Sequence, residues 1–224
     1  MPRIRTTQTF LSTALAELGT LPRPALIGFG LVGALSAAWD FAFWFHRPRL
    51  TAWDYAGCTV LVGASLVLSY GVCMEMIGRR RSWGGLVRFL ATVAAMVAPL
   101  VLGLVIIAMA PGAKGGLGAA LACLLLAIFC LSFLQGWPVL QATSDSLVGP
   151  WAAFKATKGL RWPLFLASSL TGTVNRFVPS ISTADNLAGA GLLAVLGGVV
   201  SAFSLMLAAA IAVTAWRHMA TRAD

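Results

Sequence analysis

The run LVRFLATVAAMVAPLVLGLVIIAMA, residues 86–110, decides the fold. After Arg88 it carries no charged side chain. It is long enough for a helix to cross a hydrocarbon core of roughly 30 Å, which takes roughly 20 mostly apolar residues. Working outward, segments of the same kind occupy 24–45, 53–78, 115–142, 161–183 and 187–216. With 59% hydrophobic residues, 10% charged residues and a mean hydropathy of +0.87, the composition excludes a soluble domain. The reading is an all-α protein, a polytopic bundle of six transmembrane helices that forms a single domain over 1–224.

Lysine and arginine set the orientation, because cytoplasmic loops retain them. In a six-span arrangement one side holds Arg3, Arg5, Arg23, Arg79, Arg80, Arg81, Arg88, Lys155, Lys158, Arg161, Arg217 and Arg222. The other holds Arg47, Arg49, Lys114 and Arg176, so the sixteen cations divide twelve to four. Both termini and the 79–85 and 143–160 connections are therefore expected in the cytoplasm. Tryptophan prefers the membrane–water interface and gives a separate check. Trp39, Trp44 and Trp53 fall near the outer boundary, and Trp83, Trp137, Trp151, Trp162 and Trp216 near the inner one. The first 22 residues are polar to amphipathic and the first apolar run is too long for a signal-peptide core, so the N-terminus is expected to be retained.

The net charge of +9 flanks the spans and forms no basic domain, so anionic headgroups of the cytoplasmic leaflet, not nucleic acid, are the expected partner. Arg79, Arg80, Arg81, Arg88, Lys155, Lys158 and Arg161 are the candidate lipid contacts. Cys58, Cys73, Cys123 and Cys130 lie inside spans without a CxxC pair and read as small hydrophobes. Two connections read as interfacial helices on the cytoplasmic leaflet, at 8–19 and 147–158. The first places Phe10, Leu11, Ala14, Leu15 and Leu18 on one face. The second follows the capping residues Thr143, Ser144, Asp145 and Ser146, presents Trp151 and Phe154, and stops at Gly159. The match between ALAELGTLPRPALI (14–27) and AAFKATKGLRWPLF (152–165) hints at an internal duplication.

Helices in lipid associate through close backbone approach. Small residues recur every four positions at Gly30, Ala34 and Ala38, at Gly115, Ala119, Cys123 and Ala127, and at Ala190, Ala194, Gly198 and Ala202. These ladders serve packing within the bundle, or one of them serves a homo-oligomer or a partner subunit. The fifth span is the most polar, with Ser168, Ser169, Thr171, Gly172, Thr173, Asn175, Arg176 and Pro179. It reads either as the wall of a polar pathway or as a span that ends early near residue 174. Asp40 and Arg176 are placed at similar depth and are expected to pair. Glu75 has Arg79, Arg80, Arg81 and Arg88 as neutralising neighbours.

His46 and His218 belong to opposite faces, which excludes a bis-histidine haem within one chain. No HExxH, GxSxG, phosphate-binding loop or His–carboxylate cluster is present. No catalytic residue, cofactor or metal is expected, and an enzyme is not.

The order of three segments carries a resemblance: LSTALAELGTLPRPALIGFG, YGVCMEMIGRRRSWGGLVRFL and WPVLQATSDSLVGPWAAFKATKGLRWPLF. Pro138, Gly149, Pro150, Ala153, Gly159, Arg161 and Trp162 stand where a proline, a G-P-x-x-A segment and a basic aromatic re-entry are found in a broad set of six-span bacterial inner-membrane proteins. The chain resembles that set, which includes YciC-type proteins and the membrane domain attached to some glycerophosphodiester phosphodiesterases. The Arg79–Arg81 run departs from it, because an acidic residue and proline often follow a shorter basic turn there. The resemblance implies a bacterial inner-membrane location and a non-enzymatic role in the envelope. The expected function is therefore that of an inner-membrane protein acting through lipid or protein partners, in envelope maintenance or as an accessory subunit of a membrane complex. The alternative is a small transporter or channel for a lipid or small solute, built on the fifth span.

If Asp40 and Arg176 pair, Asp40→Asn rescues the folding defect of Arg176→Gln, because a lone charge at that depth is costly. Additive defects in thermal unfolding would mean that the two are independent.

Overall fold

The computed structural model describes residues 7–45, 52–109, 114–174 and 178–223, and all regular structure among them is helical. The elements are α1 (Thr7–Gly19), α2 (Arg23–Phe45), α3 (Ala52–Met76), α4 (Trp83–Met109), α5 (Lys114–Phe133), α6 (Trp137–Thr143), α7 (Pro150–Ala156), α8 (Arg161–Val174), a 3-10 turn (Ile181–Thr183) and α9 (Leu187–Ala223). Five of the described helices, α2, α3, α4, α5 and α9, are long and apolar enough to cross a membrane. Burial agrees with that role. In α4 the stripe Gly85, Phe89, Thr92, Met96 and Gly103 is buried, while Val101, Leu102, Leu104, Val105 and Ile107 are exposed. Apolar faces of that extent are stable in hydrocarbon and not in water. The chain is thus a multi-pass membrane protein by the length and composition of its helices.

Local chemistry places the helix ends. Ser82 accepts a hydrogen bond at Oγ from the Gly85 N–H at 3.0 Å and so caps α4. Asn186 does the same for α9, with its Oδ1 2.7 Å from the Gly189 nitrogen. Gly78 follows α3 at φ +69, a left-handed conformation that glycine adopts without steric cost. Inside α4, Pro99 is tolerated.

Two of the expected spans are not single long helices among the described residues. The span expected at 115–142 is interrupted: α5 ends at Phe133 and α6 starts at Trp137. Pro138 lacks an N–H and its ring would clash with the Leu134 carbonyl of a continuous helix; that carbonyl instead accepts from the Trp137 N–H at 2.8 Å. The span expected at 161–183 is represented by α8, which has 14 residues and a length of about 21 Å. A non-helical stretch at 178–180 and the 3-10 turn follow, and Pro179 biases its neighbour away from helix. Six spanning helices are therefore not what the described residues contain.

The interfacial helices also differ from expectation. α1 forms, but it turns Phe10, Ala14 and Glu17 into protein and leaves Leu15 exposed. α7 is shorter than the expected 147–158, and its N-cap is Gly149, without a side-chain cap. It ends at Ala156 with Thr157 as its C-cap, and Gly159, at φ +94, lies in the turn that follows. The two entry segments share a helix, a turn and a second helix starting at Arg23 or Arg161, which the sequence match aligns.

The chain divides into two compact units. One comprises Arg80–Ser168, the chain up to Ser12 and the chain from Ile211. Here α4 packs along α5 and against α6. A Cβ added at Gly103 would stand 3.3 Å from the Ala120 carbonyl oxygen and from the Cys123 Cβ. The ladder expected on α5 is thus used at Cys123 and at the buried Ala127, with Ala120 in place of Ala119, which is exposed; the surroundings of Gly115 lie outside the described positions.

The other unit comprises Thr13–Arg79 and Ser169–Ala210. In it α2 packs against α3 and the 3-10 turn, and meets α9 at its glycines. A Cβ on Gly33 would lie 2.6 Å from the Gly198 carbonyl oxygen and 2.9 Å from the Ala202 Cβ. One on Gly198 would lie 2.8 Å from the Ala37 Cβ. Phe41 lies opposite Gly191. Rising numbers on α2 meet falling numbers on α9, so the two helices run antiparallel. The ladder Ala190, Ala194, Gly198 and Ala202 is buried, whereas Gly30, Ala34 and Ala38 are exposed.

Gly198→Val should lower stability in detergent by about 1–3 kcal/mol, the usual cost of overpacking a tight contact. Gly118→Ala, which has open space around it, should shift stability by no more than about 1 kcal/mol. Thermal unfolding of the two variants side by side checks this, and equal midpoints would contradict the crossing geometry.

Candidate functional site: a basic aromatic elbow

The densest chemistry lies where α6, α7 and α8 follow one another. The break after α5 turns Trp137 inward, and its indole Nε1–H donates to the Val148 carbonyl at 2.7 Å. Gln141 is buried. Its Oε1 accepts from the Val148 N–H at 2.8 Å, and its Nε2 donates to the Ser146 carbonyl at 3.1 Å. These bonds hold the 144–149 connection against α6 without regular structure. Arg88 donates from Nη1 to the Ser144 carbonyl, and the Trp216 indole donates to Thr143 Oγ1 at 3.0 Å. The apolar floor is Met96, Leu134, Trp137 and Ala153, flanked by Cys130, Val148 and Phe154.

On this base α7 carries an aromatic cluster. Phe154 lies tilted against Phe129 at 4.8 Å and against Trp151 at 5.6 Å between ring centroids. Phe133 bridges Phe154 and Phe165 at 6.2 and 6.0 Å. Cations lie on the rings: the Arg161 guanidinium 3.9 Å from the Phe154 centroid and the Lys155 ammonium 5.7 Å from that of Trp151. Such contacts hold a cation in place while leaving its charge uncompensated. Arg161 Nε is buried without a hydrogen-bond partner, which leaves the terminal guanidinium nitrogens as the donors for an anion. Trp151 is 63% and Trp162 74% exposed, so large indoles project beside the cations. Two amphipathic rings flanking two cations match a layer of headgroups over hydrocarbon.

The predicted site residues separate into groups. Lys155 and Arg161 join the elbow, and Lys158 lies exposed in its turn. Arg79, Arg80 and Arg81 are exposed in the loop between α3 and α4. Arg88 ties α4 to the connection after α6 through its bond to the Ser144 carbonyl. Asp40 faces α9, with Oδ2 3.8 Å from where a Cβ on Gly197 would stand. Its expected partner Arg176, and Asn175, lie outside the described residues. On α8, Thr173 Oγ1 donates to the Ser169 carbonyl at 2.7 Å, Thr171 is likewise engaged, and Ser168 donates to the Leu131 carbonyl at 3.1 Å while accepting from Gln135 Nε2. The polar residues of this helix are thus tied to protein groups. Among the described residues no three His, Cys, Asp or Glu side chains are grouped to hold a metal, and the four cysteines are free.

Sequence reasoning passed over Phe129, Phe133, Phe165, Gln135 and Gln141. Phe129 and Phe133 are one turn apart on α5, and the two glutamines flank a Trp-Pro step at the end of an apolar run. That combination marks a helix break with polar bonds to satisfy.

Set against known proteins, the chain matches no family model, no curated sequence and no solved structure.

Gln141→Leu strands the Val148 N–H and the Ser146 carbonyl, and should cost about 2–4 kcal/mol. Ser12→Ala, which removes an exposed bond to the Thr9 carbonyl, should cost less than about 1 kcal/mol. Chemical unfolding in detergent separates the two.

Proposed function

We propose that this is a non-enzymatic inner-membrane protein of a bacterium that works by holding anionic lipid at its cytoplasmic face. The observation that carries the reading is the elbow, where Arg161 and Lys155 lie on the rings of Phe154 and Trp151. A phosphate diester fits it: the cations supply charge and donors, and the exposed indoles sit among the glycerol and upper methylenes. Arg79, Arg80 and Arg81, exposed in the connection between α3 and α4, add attraction for the same class of lipid. Envelope maintenance, or support of a larger membrane complex through its bound lipid, follows from this activity. The bacterial location rests on the resemblance.

The antiparallel contact of α2 with α9 supports six crossings with both ends on one side. If α2, α3, α4 and α5 each cross, the chain leaves α5 on the side where α2 began. Because α9 runs opposite to α2, it starts on the far side. The stretch from 134 to 186 then carries the chain across once more, and α8 supplies about 21 Å of that passage. The twelve-to-four division of the cations makes the shared side cytoplasmic.

Native mass spectrometry of protein released gently from its membrane tests the reading. The wild type should retain phosphatidylglycerol or cardiolipin, and Lys155→Gln with Arg161→Gln should lose roughly thirtyfold in affinity, at about 1 kcal/mol per basic residue near an anionic surface. Equal retention of anionic and zwitterionic lipid by wild type and variant would refute it. A stoichiometric protein partner retained without lipid would make the chain an accessory subunit instead.

A further inference from the structure

The two cations of the elbow occupy unequal seats. The Arg161 guanidinium lies 3.9 Å from the Phe154 centroid, in direct contact with the ring. That ring is itself held by Phe129 at 4.8 Å and Phe133 at 6.2 Å, and both belong to α5, so a second helix fixes the seat. Arg161 also opens α8 directly after the fully buried Leu160, which anchors its backbone. Its Nε is buried without a hydrogen-bond partner, so the head meets an anion through its terminal amino groups. Lys155 has no such enclosure. It is exposed, and its ammonium stands 5.7 Å from the centroid of Trp151, a ring that is 63% exposed. The flexible stem of a lysine leaves that ammonium mobile. Lys158, in the turn that follows, is exposed too.

A fixed planar fork and a mobile point charge do different chemistry. The fork donates parallel hydrogen bonds to the oxygens of one phosphate. Every glycerophospholipid carries that phosphate, whether its headgroup is anionic or zwitterionic. The ammonium imposes no geometry and responds to the charge around it. Beyond the phosphate, a zwitterionic headgroup ends in a cation, and an anionic one does not. Lys155 and Lys158 repel the first and leave the second in place. The rings of Trp151 and Phe154 are neighbours at 5.6 Å, so the ammonium stands on the ring beside the one that carries the guanidinium.

We propose, on the strength of the anionic-lipid reading above, that the elbow separates binding from selection. Arg161 binds the phosphate of the lipid, and Lys155 selects an anionic headgroup over a zwitterionic one. Phe154 acts through Arg161 and is a positioning residue. Each property is therefore lost on its own when its residue is changed.

The test titrates the full chain in detergent with phosphatidylglycerol and, separately, with phosphatidylethanolamine of the same acyl chains, and reads bound lipid by native mass spectrometry. Arg161→Lys keeps the charge and removes the fork, so affinity for both lipids should fall roughly tenfold with the ratio between them unchanged. Lys155→Gln should weaken phosphatidylglycerol alone, roughly fivefold, and lower the ratio by the same factor. Phe154→Leu keeps every charge and should follow Arg161→Lys. Because Lys155 is exposed, its variant gives a result even if a change at 161 or 154 unfolds the elbow. Wild-type affinity in Arg161→Lys, or an unchanged ratio in Lys155→Gln, overturns the division while a wild-type preference for phosphatidylglycerol keeps the broader reading. A wild type without that preference overturns both. Excess inorganic phosphate should leave phosphatidylglycerol bound; its displacement would make the seat one for free phosphate and overturn the assignment to a headgroup.

Discussion

A bilayer core offers the backbone no hydrogen-bond partner, and most of this molecule follows from that one constraint. It makes helix the form of every long apolar segment. It also decides where the chain is permitted to leave that form. The interruption after α5 coincides with Trp137, Gln141 and Arg88, whose side chains satisfy the carbonyls and N–H groups of the connection that follows. The polar groups of α8 obey the same requirement, since Ser168 and Thr173 bond to protein carbonyls.

Packing has a different origin. Hydrocarbon surrounds the helices whether or not they associate, so apolar area supplies little force for association and contact must come from fit. Gly33 and Gly198 provide it by letting two backbones touch, and Gly103 provides it for α4 against Ala120 and Cys123. The same small residues that close one contact leave a furrow beside it.

The elbow joins both themes. Gly159, at positive φ in the turn after α7, lets the chain turn sharply into α8, which brings Arg161 back over Phe154. The rings position the cations, and the exposed indoles of Trp151 and Trp162 stand beside them. Arg79–Arg81 lie exposed without such a scaffold, whereas at the elbow aromatic rings fix where the cations stand.

By itself the sequence determined the membrane class, the helical character and the starts and ends of α2, α3, α4 and α9 to within a few residues, except for the C-terminal end of α9. These follow from composition and from local signals such as Ser82, Gly78 and Asn186, which act on their own neighbours. It also marked Lys155 and Arg161 as surface cations and the 190–202 ladder as a packing element. Tertiary structure alone decided that Arg88 reaches the Ser144 carbonyl, that α1 turns Glu17 inward and that Asp40 faces α9. It also decided that Phe129, Phe133 and Phe165 build the platform under the elbow. The reason is physical: each of these depends on which groups from distant parts of the chain come within a few ångströms, and an apolar sequence with small residues on several faces permits many such pairings until the backbones are packed.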